Sequence, residues 1–190
     1  MLEGRLVRLR APEPSDVERA YQWINDREVT RFLQVRYPVS HVDEEKWLAE
    51  ASQGNSFSDV RLAIETKSDD RHIGNMGLHR VRPEDRCAAL GILIGDKSFW
   101  SRGYGRDAIM TLLRFAFYEM NLHKVSLHVF EFNERAMACY RKCGFLEEGR
   151  LRDEYYYDGR YWDILAMGVL RDEFEQVLAC TEAEATPAAG

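Results

Sequence analysis

Two glycines separated by one residue, Gly103 and Gly105, mark the stretch of this chain where chemistry is most clearly indicated. Because glycine has no side chain, its backbone can approach a ligand closely and turn amide hydrogens outward. A helical apolar pattern begins directly afterwards at Ala108, so the loop lies where the positive end of a helix dipole is expected. Amides at a helix N-terminus bind phosphate groups. The pattern indicates a phosphate or pyrophosphate site, although a Gly-x-Gly pair by itself is also typical of a tight turn.

The two common nucleotide-binding motifs do not fit this loop. A dinucleotide fold adds a third glycine and an early βαβ unit, and both are missing here. A Walker loop requires Gly-Lys-Ser/Thr, which does not follow either glycine. The sequence therefore predicts neither of these two nucleotide-binding sites at this loop.

The elements that position the loop are predicted by the hydrophobic pattern. An apolar run at residues 90–94 predicts a buried strand before the loop, the last of three antiparallel strands at residues 60–66, 72–81 and 86–94. A capping pattern at Ser15 predicts the start of a helix, and later points at which polar residues give way to apolar ones predict one or two more. We therefore expect two or three short helices before these strands. Asp158-Gly159 predicts a two-residue hairpin turn late in the chain.

A second motif follows the loop at a fixed separation. Residues 133–145, NERAMACYRKCGF, match the pattern N-x-x-A-x-x-x-Y-x-K-x-G-F, and residues 100–108, WSRGYGRDA, match the loop pattern Gln/Arg-x-x-Gly-x-Gly/Ala except that Trp100 stands at its first position. Both patterns resemble the signatures of the GNAT (GCN5-related) N-acetyltransferases. The resemblance covers nearly the whole chain. It is strongest to the branch of the ribosomal-protein N-terminal acetyltransferases and the spermidine acetyltransferases.

The resemblance implies an α/β fold: a mixed, mostly antiparallel sheet of about six or seven strands, with helices on both faces and a splay at the strand that binds CoA. It implies one domain over residues 1–178, and we expect residues 179–190 to be a disordered tail because they offer little to bury. The implied cosubstrate is acetyl-CoA. Its implied contacts are Ile92, Leu93, Ile94, Ser101, Arg102, Gly103, Tyr104, Gly105, Arg106, Asn133 and Lys142.

The implied reaction is direct attack of an amine on the thioester, with Tyr140 as the acid that protonates the departing thiolate. An aliphatic amine of pKa near 10 must lose a proton first, at a cost of about 4 kcal/mol near neutral pH. Many relatives carry a glutamate where this chain has Ala89. The base therefore stays open. The candidates are Asp26, Glu28, Glu131, Asp153, Asp163 and His128, each of which is also typical of a surface charge, a cap or a structural histidine.

Composition limits the partners. The formal net charge is −6 without a cluster of Lys and Arg, which argues against nucleic acid. No run approaches the roughly 20 apolar residues that span a bilayer, and the N-terminus lacks the apolar core of a signal peptide, so we expect no membrane partner and a cytoplasmic location. The four cysteines lack zinc-site spacing, and we expect no metal.

The sequence thus predicts an acetyl-CoA-dependent N-acetyltransferase acting on a protein N-terminus or a small, polyamine-like amine. An amino-sugar acetyltransferase for a nucleotide-linked sugar and an inactive CoA-binding regulatory domain are the alternatives. The aromatic hairpin at residues 155–162, YYYDGRYW, would serve either the acceptor site or a homodimer contact.

Overall fold

The computed structural model describes residues 1–52 and 56–185. The strands are β1 (Leu2–Glu3), β2 (Val7–Arg10), β3 (Val60–Thr66), β4 (His72–Arg82), β5 (Cys87–Ile94), β6 (Lys124–Phe130), β7 (Leu146–Tyr157) and β8 (Arg160–Leu170). The α-helices are α1 (Val17–Ile24), α2 (Arg27–Thr30), α3 (His41–Ser52), α4 (Tyr104–Arg114), α5 (Glu134–Lys142) and α6 (Arg171–Ala185). Short 3₁₀ turns precede α1 and α4, and a π turn extends α4.

Within the described residues the strands form one sheet of eight, in the order β1-β2-β3-β4-β5-β6-β8-β7. Every neighbouring pair is antiparallel except β5 and β6, which run parallel. The mixed, mostly antiparallel fold that the sequence predicts is confirmed. The extra strand is β1, whose two residues are too few to produce a detectable alternation.

The parallel pair is incomplete, and this shapes the site. β5 and β6 are paired only at Cys87, Ala88 and Ala89, opposite Lys124, Val125 and Ser126. In the described part of the chain, the edge of β5 after Ala89 has no strand partner on the β6 side. The backbone groups of that edge are therefore free to pair with an extended ligand.

Helices cover both faces of the sheet. Cross-strand partners share a face, so Leu9, Ile64 and the buried residues of α4 form the main core on one side. On the other side, Trp23 of α1 packs against His72, which is the β4 partner of Glu65 on β3. The site described below lies where these two faces communicate through the gap between β5 and β6.

One carboxylate fixes the first strands to α4. Asp107, in the first turn of α4, accepts hydrogen bonds from the backbone amides of Arg5, Leu6 and Val7, at 3.0, 2.7 and 3.0 Å. These amides lie before and at the start of β2, where Val7 is fully buried. The glycine loop before α4 is thereby held to the far edge of the sheet.

Two boundaries differ from the sequence prediction. The first helical segment starts with a 3₁₀ turn capped by Glu13, whose amide donates to Asp16 at 2.9 Å, so the capping box lies earlier than the predicted one at Ser15. The last helix continues through residues 179–185, where a disordered tail was expected, and Thr181 Oγ1 donates to the carbonyl of Val177 at 2.8 Å. Alanine and glutamate favour helix even where they bury little. Residues 186–190 of the predicted tail lie outside the described residues.

Candidate active site

Three adjoining cavities meet at the gap between β5 and β6. The α4–α5 cleft, of about 490 Å³, lies between the N-terminal parts of these helices. The strand gap, of about 510 Å³, separates β5 from β6, and the α3-side cavity, of about 780 Å³, opens on the opposite face of the sheet. Ile92 lines all three, while Asn133 and Tyr140 line the cleft and the gap. A ligand in the cleft and a ligand in the α3-side cavity can therefore meet at one point of β5.

The structure brings most of the predicted cosubstrate contacts together. The predicted residues that line the α4–α5 cleft are Ile92, Ile94, Ser101, Gly103, Gly105, Arg106, Asn133 and Lys142. Leu93 lines the α3-side cavity instead, as strand alternation requires. Arg102 and Tyr104 do not line the cleft: Arg102 donates to the carbonyl of Ser98, and Tyr104 packs edge-on against Phe99.

The glycine loop forms the N-terminus of α4. Gly103 caps the helix with φ +90° and ψ −14°, a left-handed conformation that favours glycine. Across the cleft, Asn133 caps α5 by accepting a hydrogen bond from the amide of Ala136 at 3.2 Å. Two helix N-termini and the cation Arg106 thus border one cleft, an arrangement that suits a diphosphate, and Lys142 borders the same cleft at the other end of α5.

Trp100 stands where the loop pattern usually has a polar residue, and its role here is structural. Its indole Nε1 donates to the carbonyl of Ile94 at 2.7 Å, which holds the end of β5 against the loop. The guanidinium of Arg135 lies 3.9 Å from the centre of the indole ring. Arg135 also lines the cleft, and burial lowers the pKa of its guanidinium. Sequence reasoning missed this cation, although its place two residues after the Asn133 cap puts it in the first turn of α5.

Tyr140 is buried where the cleft joins the strand gap. Its side chain is 9% exposed, and burial raises the pKa of the phenol, with Cys139 and Cys143 adding to the rise. The phenol is therefore a proton donor throughout the neutral range. An acid that protonates a leaving group in the strand gap would have to lie at this junction.

Most of the carboxylates considered as bases are bound elsewhere. Asp26 and Glu28 both contact Lys97 Nζ, at 2.8 and 2.7 Å, and this pairing holds the pKa of Asp26 below its usual value. Asp163 and Glu131 contact Arg150 Nη1, at 2.9 and 3.1 Å.

Arg150 also lowers the pKa of Asp163, and the Asp163 carboxylate accepts the amide of Asp153 at 2.9 Å. None of these five carboxylates lines the cleft, the gap or the α3-side cavity. Of the predicted bases, only His128 lines the gap.

The structure adds two ionisable residues that sequence reasoning missed. Glu44 of α3 is 7% exposed, lines the α3-side cavity, and has its pKa raised by burial. Within residues 1–52 and 56–185, no polar group bonds its carboxylate. His79 of β4 lines both the α3-side cavity and the strand gap. Strand alternation assigns His79 to one face of β4. Only the tertiary fold shows that this face borders the α3-side cavity and the strand gap.

Within the described ranges, no three His, Cys, Asp or Glu side chains gather as metal ligands would. The same ranges contain no helix long and apolar enough to cross a bilayer.

Comparisons with known proteins agree with this geometry. The family model described as "Acetyltransferase (GNAT) domain" matches residues 6–146. A spermidine N(1)-acetyltransferase of Vibrio cholerae is 30% identical over 166 residues, covering 87% of this chain and 94% of the relative. A Bacillus subtilis relative named "Putative ribosomal N-acetyltransferase" is 27% identical over 172 residues, covering 89% and 93%.

The crystal structure of spermidine N-acetyltransferase from Vibrio cholerae in complex with CoA and spermine superposes with a TM-score of 0.79, at 29% identity, over 90% of this chain and 98% of that chain. The family match spans most of the chain, and the fold, the glycine loop and the open edge of β5 agree with it. This chain therefore belongs to the GNAT acetyltransferase family and is an N-acetyltransferase.

Proposed function

We propose that this enzyme transfers the acetyl group of acetyl-CoA to a small aliphatic primary amine, which attacks the thioester directly. The observation that carries the proposal is the gap between β5 and β6, because it joins a cationic cleft on one face of the sheet to an acid-lined cavity on the other. Two substrates entering from opposite faces would meet there without displacing each other.

The residues of the cleft fit CoA. The loop amides at Gly103 and Gly105 and the cation of Arg106 suit the pyrophosphate. The edge of β5 at Ile92, which within the described residues lacks a strand partner on the β6 side, suits the pantetheine arm as an added strand, whereas the carbonyl of Ile94 already accepts a hydrogen bond from the Trp100 indole. When bound, acetyl-CoA supplies an acyl group activated as a thioester.

Tyr140 would complete the transfer from the CoA side. Its phenol lies at the junction of cleft and gap and keeps its proton at neutral pH, because burial raises its pKa. Donation of that proton to the departing sulfur would stabilise the leaving group.

The α3-side cavity suits a cationic, aliphatic acceptor. Three acidic side chains, Asp43, Glu44 and Asp59, line it together with the cations Arg61 and Arg80 and with apolar groups such as Ile24, and the acidic groups are in excess. An isolated buried carboxylate such as that of Glu44 is costly, and an ammonium ion would offset that cost. Relatives that act on spermidine, and one whose structure contains spermine, support a polyamine-like acceptor, whereas a protein N-terminus is the second candidate.

The two alternatives have less support. A nucleotide-linked sugar brings a diphosphate. In the α3-side cavity Arg61 pairs with Asp59 at 2.7 Å, and the carboxylates of Asp43 and Glu44, which outnumber the further cation Arg80, would repel the diphosphate. An inactive CoA-binding domain would not need an open route between the cleft and a second cavity.

The test is thiol release from acetyl-CoA with a panel of acceptors: spermidine, N-terminal peptides, amino sugars and amino acids. We expect spermidine or a similar diamine to give the highest kcat/KM. If an amino sugar or a peptide gives the highest kcat/KM instead, the acceptor belongs to that class and not to the polyamine-like amines. If acetyl-CoA binds by calorimetry but no acceptor releases thiol, the chain is a binding module and the proposed reaction is wrong.

A further inference from the structure

We propose that His79 accepts the proton of the attacking amine, in the place of the carboxylate that this chain lacks at Ala89. The inference rests on the proposed function, because it concerns the same transfer reaction. It assigns a base that neither the sequence nor the family patterns identify in this chain.

The register of the sheet puts the imidazole beside the missing carboxylate. His79 on β4 is the cross-strand partner of Ala89 on β5, so the two side chains point to the same face. Ala89 is also the last residue at which β5 pairs with β6. The imidazole therefore stands at the mouth of the strand gap.

The next residue on that face of β5 leaves room for the ring. A Cβ atom added at Gly91 would lie 3.3 Å from Cε1 and 3.7 Å from Nδ1 of His79, so the imidazole lies over this glycine. Gly91 and His79 both line the gap and the α3-side cavity. A small residue at position 91 thus lets the imidazole reach the route by which an acceptor would approach Ile92.

Few side chains reach both the strand gap and the α3-side cavity. The residues that line both the gap and the α3-side cavity are Leu33, His79, Arg80, Gly91 and Ile92. Among them only the imidazole changes protonation near neutral pH. His128 lines the gap alone, and His72 is buried against Trp23 and Asp16, away from the gap.

The electrostatic surroundings keep the ring neutral and ready to accept a proton. His79 is exposed to the two cavities, but partial burial of its imidazole lowers the pKa below 6.5, the cation of Arg80 lowers it further, and the carboxylate of Asp59 works in the opposite direction. A neutral imidazole is the form that a base must have before the transfer. The other charged and titratable groups that line these two cavities are Asp43, Glu44, Asp59, Arg61, Arg80, Arg82, Cys87, His128 and Tyr140.

The step balances without any further reagent. The amine enters as an ammonium ion and releases one proton to solvent. Its nitrogen forms the C–N bond with the acyl carbon, the C–S bond breaks with its electron pair on sulfur, and the second proton leaves the nitrogen for an imidazole nitrogen of His79. Tyr140 protonates the sulfur, and the exposed imidazole then returns its proton to solvent while the phenol regains one.

The first test compares kcat/KM across pH for the wild type and His79→Gln with spermidine as acceptor. Below the pKa values of both the amine and the imidazole, the wild-type log(kcat/KM) should fall with slope 2, once for each group. His79→Gln should lose about 10²-fold in kcat and fall with slope 1, with the KM for acetyl-CoA unchanged. His123→Gln is the matched control, because this exposed histidine at the start of β6 lines none of the three cavities.

The second test combines a titration that does not use turnover with a chemical rescue. The imidazole Cε1–H resonance that disappears in His79→Gln should titrate below pH 6.5 in the protein alone, and spermidine should shift it. In a folded His79→Ala protein, imidazole added to the buffer should restore part of kcat. The rescue excludes a merely structural role for the side chain.

The outcomes separate the two proposals. If the wild type releases thiol but His79→Gln keeps its rate and slope 2, His79 is not the base and the proposed function stands. If His128→Gln loses the second slope instead, the base is His128 and the inference is wrong. If the wild type releases no thiol with any amine, the proposed function fails before His79 is tested.

Discussion

Tyr140 is the residue for which sequence motif and structural position agree most closely. Replacing it with phenylalanine removes one oxygen from a side chain that is 9% exposed at the junction of the cleft and the strand gap. We expect Tyr140→Phe to lower kcat by about 10²-fold, since a positioned acid contributes that much or more, and to leave acetyl-CoA affinity unchanged. Steady-state kinetics and calorimetry measure the two quantities.

The matched control is Tyr156→Phe on the exposed hairpin, where the ring packs edge-on against Tyr161. It should keep full activity. If Tyr140→Phe retained kcat with CoA binding intact, the acid would have to be a water molecule or another group.

We expect the charge of Glu44 to lower the stability of the folded protein and to favour binding of a cationic acceptor. Burial raises the pKa of its carboxyl group in the folded protein, so above the unfolded value of 4.5 the charged form costs folding free energy. Glu44→Gln should therefore unfold at a higher temperature at neutral pH and raise the KM for a cationic acceptor about tenfold or more. Glu45→Gln removes the same charge from an exposed neighbour and should change neither. A Glu44→Gln enzyme with unchanged KM would remove this residue from acceptor binding.

At the residue scale, the motifs predict the CoA side of the site better than the acceptor side. The loop and the α5 motif are continuous in sequence, so the resemblance to the family signatures places Gly103, Arg106, Asn133 and Tyr140, which the structure brings to one cleft. His79 and the acid-lined cavity depend on register and on packing between distant elements, and no local pattern marks them. The candidate bases near the first helices and on the hairpin had to be excluded by ion pairs that only the fold reveals.

At the scale of elements, the glycine loop depends on one backbone conformation. Gly103 has φ +90° at the cap of α4, a region in which an L side chain costs roughly 1–2 kcal/mol. Gly103→Ala should lower the free energy of unfolding by about that amount and weaken acetyl-CoA binding, because the loop amides must rotate to relieve the strain. Chemical denaturation and calorimetry test both effects.

The chain supplies its own control for this substitution. Gly149 on β7 lacks a positive φ, and a Cβ atom there meets nothing within 4 Å. Gly149→Ala should leave stability and CoA affinity near the wild-type values. Equal effects of the two substitutions would show that the Gly103 conformation is not what holds the loop in shape.

The elements themselves were largely predictable. The antiparallel strands β3, β4 and β5 and the Asp158-Gly159 turn follow from alternation and turn chemistry, and the turn residues have φ +52° and +81°. The break between β5 and β6 was expected only through the family resemblance. Hydrophobic pattern cannot show where two distant strands stop pairing.

At the scale of the whole molecule, a buried polar cluster ties helix α1, on the face with the α3-side cavity, to the sheet. Arg10 of β2 donates to Asp16 at 2.8 Å and to Glu65 of β3 at 2.7 Å, and His72 of β4 lies 3.2 Å from Asp16. The ring of Trp23 from α1 packs over His72 at 4.9 Å. Helix α1, which lines the α3-side cavity through Ala20 and Ile24, is therefore held to the sheet by this cluster of ionisable groups.

This arrangement makes stability depend on pH. Burial lowers the pKa of His72 below 6.5, although Asp16 works to raise it. As the pH falls below 6.5, the unfolded chain takes up a proton at His72 that the folded protein refuses, so the free energy of unfolding must fall, by up to about 1.4 kcal/mol per pH unit for one such group. The pKa of His79 is lowered as well and adds a contribution of the same sign.

His72→Gln should flatten this decline, because glutamine has no proton to gain. Urea unfolding from about pH 7.5 to about pH 5 should show a smaller loss of stability in the variant than in the wild type, even if the variant is less stable at every pH. His123→Gln should keep the wild-type slope. Equal slopes for His72→Gln and the wild type would mean that His72 has the same pKa in the folded and unfolded protein, which would contradict this prediction. Because His72 supports α1, acceptor binding should weaken as the pH falls and the fold loses stability. Binding of acetyl-CoA in the cleft on the other face of the sheet should weaken only at lower pH.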